Sequence, residues 1–345
     1  MLLLEVFAYT GTVAALYAGA RYYHLHNPTV LVDGMAASAA SGAFGQEPAG
    51  LDGLEVATDA SGTFMGMDDR LLLERMRAGE IKSLRFNRGG SSVSFRVEFQ
   101  DGSRAAFKPY QTNPQSVPRK EVAAYRLNRL LGLNLVPPSL MRSFPRDEIM
   151  AKLSADSASL RPRVENETTF ENGAALGSLS YWVPTLIHTG LDEGEGLKRW
   201  EEWLTVGTDI PPEKVTLMAQ LSTLLLFDLV QNNSDRFSGG NILGAPDGKT
   251  LFFMDNAFGF QTDAEGHQKC RSYLSRAQKF SRRFVASLRR LNQATLQEAM
   301  RSPPPGGDLL SGAEIEALLG RRDQALRYVE GLSQRFGEER VLVFP

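Results

Sequence analysis

One stretch, between Leu224 and Phe260, constrains the fold more than any other. An apolar run ends in the polar sequence Asn-Asn-Ser-Asp235-Arg, and a later run of large apolar residues leads into Asp255-Asn256. This pattern predicts a buried helix that ends in a polar loop, followed by a hairpin whose second strand delivers an Asp. Two carboxylates would then lie on loops at the ends of rigid elements.

The side chains in this stretch suit phosphoryl transfer assisted by a metal. Carboxylate and amide oxygens are the ligands that hard divalent cations prefer. In such sites one Asp orients the acceptor hydroxyl, while an Asn and a second Asp hold the metal. The pattern therefore predicts Asp235 as the catalytic base and Asn241 and Asp255 as metal ligands. The alternative is an ordinary polar loop with a capping Asp, followed by an Asp-Asn turn.

A change of period from Ile81 to Lys108 predicts three antiparallel strands. The middle segment alternates apolar and polar residues, and Asp-Gly follows it as a hairpin turn. Gly89, Gly90 and Ser91 fall between the first two strands. Glycines let backbone N–H groups approach phosphates, so this loop is a candidate nucleotide site as well as a plain hairpin loop.

Lys108 ends the third strand, where a kinase places the Lys that pairs with nucleotide phosphates. A carboxylate must hold such a Lys. Glu121 opens a segment with helical spacing, so it is well placed for Lys108 and also favoured there by the helix dipole. Farther on, Trp182 and Val183 precede Pro184, which predicts either a hinge whose backbone binds adenine or an ordinary strand end.

Composition sets the broad class. The chain has 345 residues, 42% hydrophobic and 23% charged, which suits a two-lobed globular enzyme with a tail. The net charge of -2 gives no reason to expect nucleic acid as a partner. Cys270 is the single cysteine, so neither an intramolecular disulfide nor a cysteine zinc cluster can form.

The N-terminus suggests contact with a membrane. Residues 1–20 are almost all apolar or small and are long enough to span a bilayer, and Arg21 follows them. The positive-inside rule then predicts a membrane-anchored protein with its catalytic domain on the cytoplasmic side. An amphipathic helix docked on the catalytic domain, in a soluble cytoplasmic or an exported protein, is the alternative.

The predicted organisation has four parts: residues 1–26 as the hydrophobic segment, 27–66 as a flexible linker, 67–186 as a small lobe and 187–345 as a large lobe. A strand is predicted near residues 149–153, and two helices are predicted at residues 313–319 and 322–336. A basic segment, residues 269–290, is expected to be a solvated helix face or a surface for an acidic substrate or anionic lipid.

Four separated motifs, in this order, resemble those of a known group. They are Phe-Lys108-Pro, the helix that begins at Glu121 with the Val-Pro-Pro after it, Asn-Asn-Ser-Asp235-Arg and Met-Asp255-Asn-Ala-Phe-Gly. The chain resembles the atypical kinases of the secretory pathway, which include the Golgi casein kinase, the proteoglycan xylose kinase and Four-jointed. More distantly it is similar to HipA-type and phosphatidylinositol-kinase-like folds. Secreted members carry disulfides, and the single cysteine departs from that and fits a bacterial or reducing-side relative.

The resemblance implies an α+β, two-lobed, atypical protein-kinase-like fold. Its small lobe would hold an antiparallel sheet with one helix, and its larger lobe would be mostly helical. It also implies ATP and Mg²⁺ or Mn²⁺ as cofactors and a protein or sugar as acceptor. Lys108 would bind phosphate, and Glu121 would bond to Lys108 and to the metal. Asn241 matches the family pattern only approximately, because an extra residue separates it from Asp235. A pseudokinase that binds nucleotide without transferring phosphate is the alternative function.

Overall fold

The computed structural model describes residues 62–238 and 240–345. The predicted membrane anchor and most of the predicted linker therefore lie outside the described residues, and membrane association stays a prediction. Within the described ranges, no helix combines the length and the apolar character that crossing a bilayer requires. The end of the predicted linker is instead a hairpin, in which β1 (Thr63–Phe64) pairs with β2 (Met67–Asp68). Phe64 is fully buried, which makes this hairpin part of the core.

The small lobe is built around one antiparallel sheet with helices on both faces. Its elements are α1 (Asp69–Ala78), β3 (Ile81–Phe86), β4 (Phe95–Phe99), β5 (Arg104–Pro109), α2 (Pro118–Leu130), β6 (Ser139–Pro145), α3 (Arg146–Lys152), a 3₁₀ turn (Ala155–Leu160), α4 (Arg161–Glu167) and β7 (Ala174–Tyr181). The five strands lie in the order β3-β4-β5-β7-β6. The three predicted strands are present, with the predicted helix α2 packed beside β6 and β7.

The strand predicted near residues 149–153 is wrong, because residues 146–152 form α3. A short apolar run reads equally well as a strand or as one face of a helix. Ile149 and Met150 are both buried, although their side chains are adjacent in sequence and would point to opposite faces of a strand. The strand of this region is β6, which comes before that apolar run.

The large lobe is mostly helical. Its elements are β8 (Ile187–His188), α5 (Gly194–Trp203), a 3₁₀ turn (Pro212–Lys214), α6 (Val215–Gln231), β9 (Leu243–Gly244), β10 (Leu251–Phe252), α7 (Gln268–Leu274), α8 (Arg282–Arg290), α9 (Gln293–Ala299), β11 (Arg301–Ser302), β12 (Gly307–Asp308), α10 (Gly312–Phe336) and α11 (Glu338–Val341). The α+β class and the two-part design predicted from the sequence are confirmed, with α1, α3 and α4 as additional helices beside the sheet.

The helix α6 is the axis of the large lobe. From Leu217 to its end it is buried on all sides, which fits its nearly unbroken apolar sequence. Asn232 follows it in the left-handed conformation, with a φ of 60°, and so ends the helix in the way a C-terminal Asn or Gly does. The polar loop predicted to follow an apolar helix therefore begins at a well-defined point.

The C-terminal region is one helix, where two were predicted. The helix α10 continues through Gly320, although glycine weakens a helix interior by about 1 kcal/mol relative to alanine. Gly320 lies against Ala264, and a Cβ built at position 320 would be 3.5 Å from the Cβ of Ala264. A Cβ at position 320 would thus be in ordinary van der Waals contact with Ala264, and the glycine does not end the helix.

Candidate active site

The register of the sheet determines where the side chain of Lys108 points. Lys108 pairs with Ser178 of β7, and Ala106 pairs with Ser180. Paired residues share a face of an antiparallel sheet and alternate residues of a strand point the same way. Ala106, Lys108, Ser178 and Ser180 therefore lie on one face, while Phe107 lies on the other face in the core.

Lys108 is the centre of a three-residue charge cluster. Its Nζ lies 2.6 Å from Oε1 of Glu121 and 2.7 Å from Oδ1 of Asp255, and its side chain is 15% exposed. Burial alone lowers the pKa of Lys108, but the Asp255 and Glu121 carboxylates more than offset this and raise it above its ordinary value. Lys108 is therefore a permanent cation, and the ion pair predicted between Lys108 and Glu121 is present.

Glu121 connects the small lobe to the loop of the large lobe that carries Asp255. Its second oxygen, Oε2, accepts a hydrogen bond of 2.9 Å from the backbone N–H of Asn256. Both carboxylate oxygens are thus engaged, one by the ammonium of Lys108 and one by the neighbouring loop. This arrangement suits a residue that orients Lys108.

Asp255 combines an exposed side chain with an unusual backbone. Its φ is 57°, in the left-handed region that Asp and Asn tolerate better than most residues. The side chain is 54% exposed, in contrast to the neighbouring Asn256, which is buried. The charge of Lys108 lowers the pKa of Asp255 below its usual value and outweighs the desolvation of the carboxylate by the surrounding protein. Asp255 therefore presents an ionised carboxylate to the cleft.

Asp235 lies on the loop after α6, and two asparagines hold it there. The side-chain amide of Asn241 donates to the backbone carbonyl of Asp235 at 2.9 Å and to its carboxylate Oδ2 at 3.1 Å. Asn233 accepts a hydrogen bond of 3.3 Å from the N–H of Asp235, and its own amide donates to the backbone carbonyl of Asp255 at 3.0 Å. Asn233 thereby links the loops that carry the two acids.

Arg236 and Asn256 brace the same two loops, and the sequence did not indicate this role for Asn256. The guanidinium of Arg236 donates to the side chain of Asn256 at 2.8 Å, to the carbonyl of Asn241 at 3.2 Å and to the carbonyl of Met254. Both residues stand inside the motifs that the sequence singles out, but only the loop geometry shows that they face each other. The buried amide of Asn256 and the buried guanidinium of Arg236 form one polar network, and its contacts help to hold the loops that carry Asp235 and Asp255.

The Gly/Ser loop lies at the same end of the sheet as Lys108. It joins Phe86 to Phe95, and Phe95 pairs with Phe107, the residue before Lys108. No atom of the described residues lies within 4 Å of a Cβ built at Gly89 or Gly90, so the space around both is open. Arg163 of α4 donates to the carbonyl of Ser91 at 2.7 Å and holds one side of the loop. The loop therefore lies beside the strand end that carries Lys108.

Trp182 and Val183 lie at the opposite end of the sheet, where the chain passes from β7 to β8. The N–H of Trp182 donates to the carbonyl of Arg104 at 3.3 Å, so this group extends the sheet and is already engaged. The side chain of Val183 packs in an apolar cluster with Phe64, Leu72 and Phe252, away from the cleft. Adenine recognition at this hinge stays a prediction.

The donor set fits a divalent cation shared with a nucleotide. Among the described residues, no group of three or more His, Cys, Asp or Glu side chains is arranged to hold a metal. Mg²⁺ is usually bound by one or two carboxylates together with substrate phosphates, without a cage made entirely of protein. Asp255 matches that manner of binding. Of the other two predicted ligands, Glu121 has both oxygens engaged by Lys108 and the N–H of Asn256, and the side chain of Asn241 contacts Asp235.

The basic segment at residues 269–290 is partly neutralised by acidic partners. Arg276 pairs with Glu201, and Arg282 pairs with Glu338 and Glu339. These contacts favour the expected solvated face over a surface for anionic lipid. Lys269 differs, because its Nζ donates to the Ser238 hydroxyl at 2.7 Å on the Asp235 loop.

No family model matches this chain, and no curated protein matches it in sequence. Solved structures do match it in fold. A crystal structure of the Golgi casein kinase gives a TM-score of 0.65 at 16% identity over 81% of this chain and 80% of that chain. A second structure of the Golgi casein kinase, with Mn/ADP bound, gives 0.64 at 15% identity over 79% and 78% of the two chains. The structure of hydra Fam20 with sugar gives 0.57 at 15% identity over 78% and 90%.

These identities are low, so the likeness concerns the fold. The chain has the kinase-like fold of these secretory-pathway proteins, as its four motifs predict.

Proposed function

We propose that this protein is a kinase that depends on ATP and a divalent metal and transfers the γ-phosphoryl group to a hydroxyl of a protein or sugar. The observation that carries the proposal is the link made by Asn233 between the backbones of Asp235 and Asp255. One carboxylate for the acceptor and one for the metal thereby lie on loops that cannot move independently. The fold likeness to a kinase determined with Mn/ADP supports the same function.

Each charged group has a distinct task in this proposal. Lys108, held by Glu121, binds the nucleotide phosphates as a compact cation. Asp235, fixed by Asn241, accepts the hydrogen bond of the acceptor hydroxyl and takes its proton during transfer. Asp255 holds the divalent ion, which when bound supplies positive charge to the phosphates.

The nucleotide lies along β5 in this proposal. Its base is placed near the backbone of Trp182 and Val183, and its phosphates near Lys108 and the Gly89–Ser91 loop. Ala106 lies on the same face of β5 as Lys108 and leaves room between them. Main-chain N–H groups of the glycine loop would bind phosphate oxygens without the hindrance of a side chain.

The test separates binding from transfer. The melting temperature of the full chain is measured with ATP, with Mg²⁺ or Mn²⁺, and with both. In separate samples of native protein, ADP release and transfer of labelled phosphate to pools of proteins, sugars and lipids are measured. We expect ATP and metal together to raise the melting temperature, and phosphate to appear on a protein or a sugar. Stabilisation by ATP with no ADP release and no labelled acceptor would overturn the proposal in favour of a pseudokinase.

A further inference from the structure

The first turn of α2 carries three consecutive charged residues that face different parts of the molecule. Glu121 faces Lys108 and Asn256, as described above. Arg119 points the other way, into the large lobe, where its two terminal nitrogens each lie 2.9 Å from one carboxylate oxygen of Glu314. Arg119 also donates to the carbonyl of Leu309. One turn of helix is therefore attached to the catalytic cluster on one side and to α10 on the other.

The sequence of α2 explains why this turn needs an outside partner. Val117 precedes the helix and provides no side-chain cap, and Pro118 has no N–H. Arg119 and Lys120 are both positive at the end of a helix whose dipole is also positive, which is unfavourable unless an anion lies nearby. Glu121 supplies one anion from the same turn, and Glu314 supplies a second from outside the helix, 2.9 Å from Arg119 and 3.8 Å from the Nζ of Lys120.

Glu314 is itself rigidly held. It belongs to the capping box that begins α10: its Oε2 accepts the N–H of Ser311 at 2.8 Å, and the hydroxyl of Ser311 accepts the N–H of Glu314 at 3.3 Å. The side chain of Glu314 is 7% exposed. A planar guanidinium that meets a buried carboxylate through two parallel bonds fixes both direction and distance.

We propose that Glu314 is a positioning residue of the active site: through Arg119 it fixes the first turn of α2, so that Glu121 meets Lys108. The proposal rests on the proposed kinase function and adds to it a contact on the far side of α2. A side chain that begins a large-lobe helix would thus set the geometry of a small-lobe Lys. Val117 adds to this anchor, because its N–H donates to the carbonyl of Ala257 at 3.3 Å.

The test uses four full-length proteins: wild type, Glu314→Gln, Arg119→Met and the double variant. Glu314→Gln takes the carboxylate away from both Arg119 and Lys120, Arg119→Met leaves Glu314 with Lys120 as its neighbouring cation, and the double variant removes the whole Arg119–Glu314 pair. The affinity for ATP, the kcat of transfer and the melting temperature are measured for each. Glu330→Gln on the same helix is the control, because Glu330 lies 3.6 Å from Arg289 and both are about half exposed.

We expect Glu314→Gln to weaken ATP binding and transfer by about 10- to 100-fold, since a displacement of about 1 Å in a catalytic group can cost that much. The double variant should have a higher melting temperature than Glu314→Gln, because Arg119 is then no longer left without its carboxylate, while its ATP affinity and transfer stay low. Recovery of all three in the double variant would show that the pair only stabilises the fold, and the inference would be wrong.

The kinase proposal and this inference fail in different ways. A wild-type protein that binds ATP without turnover contradicts the kinase function, and ATP affinity in the four proteins then decides the role of Glu314. Unchanged ATP affinity in Glu314→Gln contradicts the inference whether or not the wild type transfers phosphate. Glu330→Gln should match the wild type in every measurement.

Discussion

Arg236 forms its ion pair with Asp228 on α6, although Asp235 is its neighbour in the sequence. Nε of Arg236 lies 3.0 Å from Oδ2 of Asp228, and the two side chains are 1% and 3% exposed. The same guanidinium reaches the loops of Asn241 and Met254. Arg236 thus fixes the positions of the acids in the cleft from a buried position, as a brace between the central helix and both loops.

Arg236→Met should be strongly destabilising. It leaves Asp228 buried without its cation and removes donors from two loops, a change that typically costs about 3–5 kcal/mol. Burial already raises the pKa of Asp228 and Arg236 opposes that rise, so the variant raises it further. The stability deficit, measured by urea unfolding, should therefore shrink as pH is lowered, because Asp228 can then take up a proton in the folded state. A deficit that grows on acidification would contradict this account.

Asp255→Asn should abolish transfer and its dependence on metal. Asn tolerates the left-handed backbone that position 255 requires, so the fold should be retained while the charge is lost. Asp255→Ala should lose transfer as well and also lose some stability, because Ala adopts that backbone less readily. Metal titration of ATP-driven transfer and thermal unfolding separate the two effects. Near-normal transfer by Asp255→Asn at low metal would show that Asp255 is not the ligand.

Asp235→Asn should keep nucleotide and metal binding but lose transfer by about 100-fold or more, the range expected for general-base help. Asn at this position still fits beside Asn241 and Asn233, which bond mainly to the backbone of residue 235. ATP affinity is measured by titration and transfer in a single turnover. If Asp235→Asn instead fails to bind metal and nucleotide, Asp235 is a metal ligand and the roles of the two acids must be exchanged.

Lys108→Arg should not restore the function that Lys108→Met loses. The ammonium meets one oxygen of Glu121 and one of Asp255 at 2.6 and 2.7 Å, around a single nitrogen. A guanidinium is planar and larger, and it cannot place one atom between both carboxylates. Both variants should show weak ATP binding in the same titration. Substantial transfer by Lys108→Arg would mean that position 108 needs only a positive charge.

Lys120→Met should change how stability depends on pH. Burial, opposed by Glu314, lowers the pKa of Lys120 to about 8 in the folded protein, compared with about 10.4 when unfolded. Between these values the unfolded chain holds a proton that the folded one lacks, so the free energy of unfolding of the wild type should rise with pH. Measured by urea unfolding from pH 7.5 to 10, the free energy of unfolding of the wild type should increase relative to that of Lys120→Met. The free energy of unfolding of Lys198→Met, a change at an exposed site, should follow the same pH dependence as that of the wild type. If the free energies of unfolding of the wild type and Lys120→Met change in parallel with pH, the pKa of Lys120 is not lowered in the folded protein.

The sequence predicts those parts of the site that depend on a single element. Lys108 follows from strand alternation, and Glu121 follows from the start of an amphipathic helix. The partners of Asn233, Arg236 and Glu314 could not be predicted, because each contact joins segments whose approach depends on loop conformation. The same limit explains why a strand was predicted in place of α3 and two helices in place of α10. Whether a short apolar run forms a strand or a helix, and whether a glycine ends a helix, depends on the segments that pack against them. Local pattern thus gives the residues of the site, and tertiary packing decides their partners.

The hairpin β1–β2 places Phe64 where the two lobes meet behind the cleft. Its ring lies 5.9 Å from that of Tyr181, at the end of the small-lobe sheet, and 5.7 Å from that of Phe252, on the strand that leads to Asp255. Any rotation that opens the cleft about residues 182–186 must separate these rings and expose apolar surface. The resting angle between the lobes is therefore set partly by an aromatic contact at the end of the sheet opposite Lys108. A change at Phe64 that shifts this angle would also change the separation between Lys108 of the small lobe and Asp255 of the large lobe.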